Sequence, residues 1–136
     1  MSYLIDTNVV SELVRTRPSP RVLAWFDGVP DPALHLSVLT LGELRKGVEL
    51  LGDGKRKDRL RLWLEQELPQ WFEARLLPVT AAVAERWGRL LAEVGRPAAA
   101  IDSLLAATAL HHELRIVTRN DKDFHFPGLT TINPWQ

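Results

Sequence analysis

"YLIDTNVVSE", residues 3–12, is the stretch on which the reading of this chain turns. Tyr3, Leu4 and Ile5 form a short β-prone apolar run, and the next residue is Asp6, with no basic residue after it until Arg15. A charge at the end of a buried strand has two readings. It can cap a helix starting at Thr7 by accepting hydrogen bonds from free amides. It can also be a functional acid, because parallel sheets bind ligands beyond the carboxyl ends of their strands.

The rest of the chain supports the second setting. Further β-prone runs occur at Leu34–Ser37, Leu76–Val79, Ile116–Thr118 and Thr130–Ile132, and the segments between them have helical spacing. That alternation predicts parallel strands joined by crossover helices in an α/β layered sheet. Ser19 is expected to cap a helix with Pro20 in its first turn and Gly28 as its stop. Leu41, Leu44, Val48 and Leu51 make one apolar stripe, ended by Gly52 and Gly54. "KRKDRLRLWLEQELPQWF" continues with Leu60, Leu64 and Leu68 at four-residue spacing. Thr80 opens a helix closed by Gly95, and "AAAIDSLLAATALHHEL" is the last long one. With 136 residues and no linker or repeat, a single domain over 1–136 is expected.

Composition sets the outer limits. Apolar residues are 46% and charged residues 25%, an ordinary globular mixture. Lys+Arg and Asp+Glu are both 17, so no overall basic field attracts nucleic acid, and any such contact must be a local patch. Cysteine is absent, which removes disulfides, thiolate metal sites and cysteine nucleophiles. The start of the chain lacks a signal-peptide pattern and no segment is long enough to span a bilayer, so a cytoplasmic protein without a membrane partner is expected.

Three further segments carry acids that, like Asp6, are out of place. Asp102 is the only charge between Arg96 and Glu113, inside a run apolar enough to be buried on most sides. An unpaired buried carboxylate costs several kcal/mol, so it needs a partner or must neutralise; the bland alternative is a first-turn acid favoured by the helix dipole. Glu43 falls away from the Leu41/Leu44/Val48/Leu51 stripe, as a solvated residue would, yet shares its side of the helix with Leu39 and Leu50. Asn120, Asp121 and Asp123 follow the last "IVT" run directly, where turn chemistry alone would also favour them. Carboxylates gathered at one sheet edge repel by about 4 kcal/mol per pair at roughly 4 Å and an effective dielectric of about 20. No Lys or Arg lies within the Asp6 or Asp102 segments, and no His has metal-site spacing to the acids. An all-oxygen set points to a hard cation, Mg²⁺ or Mn²⁺.

"LIDTNVVSEL", "LTLGELRKGV", "IDSLLAATAL" and "VTRNDKDF", in this order and with "INPW" near the end, resemble the PIN-domain ribonucleases, specifically the VapC- and FitB-like toxins of bacterial toxin–antitoxin pairs. The resemblance spans essentially the whole chain. It implies a three-layer α/β/α fold around a mainly parallel sheet of about five strands, and Mg²⁺- or Mn²⁺-dependent endonucleolytic cleavage of RNA to a 5′-phosphate and a 3′-hydroxyl. By position it makes Asp6 and Asp102 the core metal ligands, with Glu43 completing the acidic cluster. Asp123 ranks first as the fourth acid, Asp121 lies between, and Asn120 would hold water or a ligand. Thr7 and Asn8 would orient Asp6, Thr118 would line the site, and Arg119, Arg45 and Lys46 would be placed for phosphate contact. The partners implied are an RNA substrate, a cognate VapB-like antitoxin and a second copy of the chain in a homodimer.

Other features carry less. "GKRKDRLRLW" reads first as a solvated helix face and second as an RNA-backbone contact. The five tryptophans read as core or interface residues rather than base-stacking platforms, and His111 and His112 as helix-end residues. The rival functions are a Mg²⁺-dependent phosphatase-like α/β hydrolase and a non-catalytic binding module whose acids are caps. A haloacid-dehalogenase-type site would need an Asp two residues after the first, where this chain has Asn8.

Overall fold

The computed structural model describes residues 1–136. Five strands, β1 (Tyr3–Ile5), β2 (Leu34–Ser37), β3 (Leu76–Leu77), β4 (Arg115–Val117) and β5 (Thr131–Ile132), form one sheet in the order β3-β2-β1-β4-β5. Every pairing is parallel, with Leu4 opposite Ile116 on one side and opposite His35 on the other. β1 is central, and the chain builds outward from it first on one side and then on the other. The crevice between β1 and β4 is therefore the point where the strand order reverses, the usual ligand position of such sheets.

The strands read as continuous apolar runs because both faces are covered. Ile5 and Val117 face one core with Val9, Leu36, Leu64 and Phe72, while Leu4 and Ile116 face a second with Val83, Leu90 and Leu105, as the two-residue period of a strand requires. The first core lies under α1 (Thr7–Val10), α2 (Pro20–Asp27), α3 (Val38–Glu49), α4 (Lys55–Leu62) and α5 (Leu68–Phe72). The second lies under α6 (Ala81–Val94) and α7 (Ala100–His111). The expected three-layer α/β/α arrangement is thus present.

Local signals were realised unevenly. Thr80 caps α6 by accepting the Val83 N–H at 3.2 Å, and Gly95 ends it in the left-handed conformation at φ 67°. Pro20 starts α2 as expected, but the Ser19 side chain makes no cap bond, while its backbone N–H donates to Glu12 Oε2 at 2.8 Å. The long helix expected across "KRKDRLRLWLEQELPQWF" is continuous but contains a π-helical turn at Trp63–Glu67, where the Leu68 N–H reaches back to Trp63 O. Pro69 supplies the reason: it has no N–H to give to Glu65, and its ring would clash with that carbonyl in an α-helix. Leu50, expected to share an apolar strip with Glu43, is 76% exposed.

Candidate active site

Asp6 follows β1 directly and its backbone N–H continues the ladder to Val117 O at 2.9 Å. That bond fixes the residue in the β1/β4 crevice, where it is only 9% exposed. Both of its carboxylate oxygens are held: Oδ1 accepts the Thr7 backbone N–H at 2.8 Å and Oδ2 accepts the Thr118 hydroxyl at 2.8 Å. Asp6 is therefore the N-cap of α1, as the first of its two readings expects. The cap uses one oxygen and one short helix; it does not explain why other acids lie around it.

Glu43 comes from α3, which starts immediately after β2 because Ser37 caps it, accepting the Leu39 N–H at 3.0 Å. Its side chain is exposed, but it is not free: Thr7 donates its hydroxyl to Glu43 Oε1 at 2.6 Å, and the same Thr7 oxygen lies 3.3 Å from the hydroxyl of fully buried Thr40. Asp102 sits in the first turn of α7. Asp123 lies in the 3₁₀ turn Asp121–Phe124 and, with Asp102, lines a cleft of about 210 Å³ rimmed by Arg96 and Lys122. Arg96 is tied to the His125 carbonyl at 3.2 Å, and none of the chain's ion pairs involves Asp6, Glu43, Asp102 or Asp123.

Electrostatics shows that these four acids share one region. Burial raises the Asp6 carboxyl above the ordinary aspartate value; the Thr118 and Thr7 hydrogen bonds oppose that rise, and the negative charges of Glu43 and Asp123 add to it. Asp102 is also raised, first by burial and then by the charges of Asp6, Asp123 and Glu43, with no hydrogen bond or cation acting in the other direction. The uncompensated negative charge expected from the sequence is present at the carboxyl edge of the sheet.

As the side chains stand, no three His, Asp or Glu side chains converge closely enough to hold one ion. The carboxylates are engaged elsewhere: Asp6 accepts from Thr7 and Thr118, and Glu43 accepts from Thr7. The donor chemistry nevertheless fits a hard divalent cation, since every available ligand is a carboxylate oxygen and no Lys or Arg takes the place of the ion. Drawing Glu43 in would exchange its exposed hydrogen bond with Thr7 for the cation.

The loop after β4 is held by residues whose part was only partly foreseen. The Asn8 side-chain oxygen accepts the Arg119 N–H at 3.2 Å, the Asn133 amide donates to the Arg119 carbonyl at 3.1 Å, and the Arg119 guanidinium lies 4.8 Å from the Trp135 ring centre. Asn8 thus secures the loop rather than Asp6 itself. Asn120 gives its backbone N–H to Thr118 Oγ1 at 3.0 Å and is exposed, and Asp121 is half-buried in the same turn. Arg45 is directed away to Glu65 and Glu49, so it is not poised for phosphate. Two residues escaped the sequence reading altogether. Thr40 is silent in sequence because a threonine on an apolar helix has no distinguishing pattern. Glu12, 4% exposed, looked like one more polar residue after α1.

A five-stranded parallel sheet between helical layers, with Asp6 placed where its strand order reverses, is a doubly wound α/β domain. The profile described as "PIN domain" matches residues 3–126, and the chain belongs to that family. It is 39% identical over 135 residues to "Toxin FitB" of Neisseria gonorrhoeae, covering 97% of each chain. It is 35% identical over 136 residues to "VapC ribonuclease Y4jK" of Sinorhizobium fredii, covering 98% of this chain and 97% of the relative. Among solved structures, FitAcB from Neisseria gonorrhoeae superposes with a TM-score of 0.90 at 39% identity, over 98% of this chain and 99% of that one. A toxin–antitoxin complex from Klebsiella pneumoniae gives 0.70 at 25% identity, over 99% of both chains. No helix of the chain is long and apolar enough to cross a membrane.

Proposed function

We propose that this chain is a divalent-metal-dependent endoribonuclease toxin, held in check by a cognate VapB-like antitoxin and acting in the cytoplasm as a homodimer. The observation that carries the reading is that Asp6 and Asp102 each feel the negative charges of Glu43 and Asp123 at the carboxyl edge of the sheet, with none of the four in an ion pair. The relatives named as ribonuclease and toxin support the same activity.

Asp6, Asp102 and Glu43 would hold Mg²⁺ or Mn²⁺. When bound, such an ion lowers the pKa of water and offsets charge on the phosphoryl group. The chain's own residues do the rest. Thr7 and Thr118 keep the Asp6 carboxylate in one orientation, as their 2.8 Å hydrogen bonds indicate. Glu43 or Asp123, both exposed, would orient the attacking water or hold a second ion. Arg119, fixed at both backbone polar groups, offers its guanidinium to a phosphate.

Two features argue against the rival enzyme and the binding module. Asn8 occupies the place of the second aspartate a phosphatase would need, and its oxygen is already bound to the Arg119 N–H. A cap accounts for Asp6 and a first-turn position for Asp102, but neither requires the charges of Glu43 and Asp123 to act on both of them. The test is inducible expression with and without the neighbouring antitoxin gene, with new RNA 5′ ends mapped. Cleavage that disappears with chelator and in Asp6→Asn is expected; growth arrest that survives Asp6→Asn would overturn the reading.

A further inference from the structure

Glu12 is a buried carboxylate that the proposed chemistry does not use. Its Oε2 accepts the Ser19 N–H at 2.8 Å and its Oε1 pairs with Arg15 at 3.2 Å, so it pins both ends of the Arg15–Ser19 loop to the end of α1. That loop carries Arg15 and Arg17, and α4 brings Arg56 up opposite them. The three arginines and Thr16 are the whole lining of a cleft of about 340 Å³. Arg15 and Arg56 also wall an adjoining cleft of about 330 Å³, which runs past Leu44, Gly47 and Trp63 to Thr7. Thr7 is the residue whose hydroxyl holds Glu43, so the groove begins at the acidic site and ends among arginines.

The charge on this groove is available. Arg17 and Arg56 take part in none of the chain's ion pairs, whereas Arg15 is paired with Glu12, and Lys57 and Arg61 of the basic run with Asp53 and Asp58. In a chain whose formal net charge is zero, Arg17 and Arg56, without ion-pair partners beside the Glu12-bound Arg15, mark a place for an anion. The half-buried Trp63 and the apolar floor beside it suit a base, and the arginines suit phosphates spaced along a strand.

We infer that the groove from Thr7 to Arg15, Arg17 and Arg56 is a phosphodiester-binding track that carries single-stranded RNA away from the acidic site, with Glu12 as the buried anchor of its arginine-bearing loop. This rests on the ribonuclease reading above for the identity of the strand.

The test uses the full chain with Arg17→Gln and Arg56→Gln together, since neither residue is in an ion pair and Arg15, which is, stays in place. Binding of a labelled RNA dodecamer, followed by fluorescence anisotropy in chelator so that nothing is cleaved, is expected to weaken roughly five- to tenfold. Its salt slope should fall by about 1.4, from about 0.7 per phosphate contact on single strands. With Mn²⁺ supplied, KM for the dodecamer should rise while cleavage of a dinucleotide, too short to reach the arginines, stays unchanged. RNA binding equal to wild type would overturn the track, and so would a loss confined to an acidic peptide partner. A wild-type chain that binds RNA through these arginines yet cleaves none with any divalent ion would sink the nuclease reading and leave the track standing.

Discussion

Thr118, the first residue beyond β4, donates its hydroxyl to Asp6 Oδ2 at 2.8 Å across 112 positions of sequence. The same oxygen accepts the Asn120 N–H at 3.0 Å, so one buried hydroxyl fixes both the central carboxylate and the loop leading to Asp123. Thr118→Val keeps the shape and removes both bonds. A loss of about 1–3 kcal/mol in unfolding free energy is expected, because the Asp6 oxygen is left buried without its partner. Chemical denaturation measures it, and unchanged stability would show that water replaces the hydroxyl.

Trp135 meets Arg119 face-on at 4.8 Å, while Arg21 donates to the Trp135 carbonyl at 3.1 Å and Asn133 grips the Arg119 carbonyl. The C-terminal residues therefore clasp the loop that presents Arg119. A cation–π contact at an exposed site contributes about 0.5–1 kcal/mol. Trp135→Ala is expected to raise KM for RNA roughly three- to fivefold with little change in kcat, and Trp135→Phe to recover most of it. Steady-state cleavage of a defined RNA checks this; a fall in kcat alone would place Trp135 in the chemical step.

Asp102 links stability to function in opposite directions. Its carboxyl is raised by burial and then by the charges of Asp6, Asp123 and Glu43, so without a cation its ionised form weakens the fold. A raised carboxyl contributes stability that is fully present below the ordinary value of 3.8 and is lost as pH rises through the higher folded value. Asp102→Asn should therefore be more stable than wild type at neutral pH in chelator. After allowance for solvent screening the gain is at most about 1 kcal/mol, or a few degrees in Tm. The difference should shrink as pH falls and Asp102 takes up its proton. Thermal melts from pH 7 downward test it, and a variant less stable than wild type at neutral pH would refute it.

Much of this arrangement is legible in the amino-acid order, for reasons that can be named. Asp6 stands out because a charge ends a buried strand, and Asp102 because it is alone in an apolar helix; both signals depend only on neighbouring residues. The pairing of Thr7 with Glu43 is not legible, since it joins positions 36 apart through a crossover that sequence pattern does not fix. Glu12 is missed for the opposite reason: a glutamate in a polar stretch looks solvated until the Arg15–Ser19 loop folds over it. The π turn before Pro69 is invisible because leucines at four-residue spacing continue on both sides of it. Ser19 has the right side chain for a cap, yet its hydroxyl makes no such bond, and what holds the residue is the Glu12 carboxylate on its backbone N–H.

Asp6 and Asp102 each feel the charges of the other acids, and the account depends on their accepting a cation. Mn²⁺ titrated into the purified chain and followed by calorimetry, in wild type and in Asp6→Asn and Asp102→Asn, measures this directly. Saturable binding in wild type, raising Tm and lost in both variants and on acidification, is the predicted result. Absence of binding in wild type, or binding that both variants retain, would contradict a shared metal site.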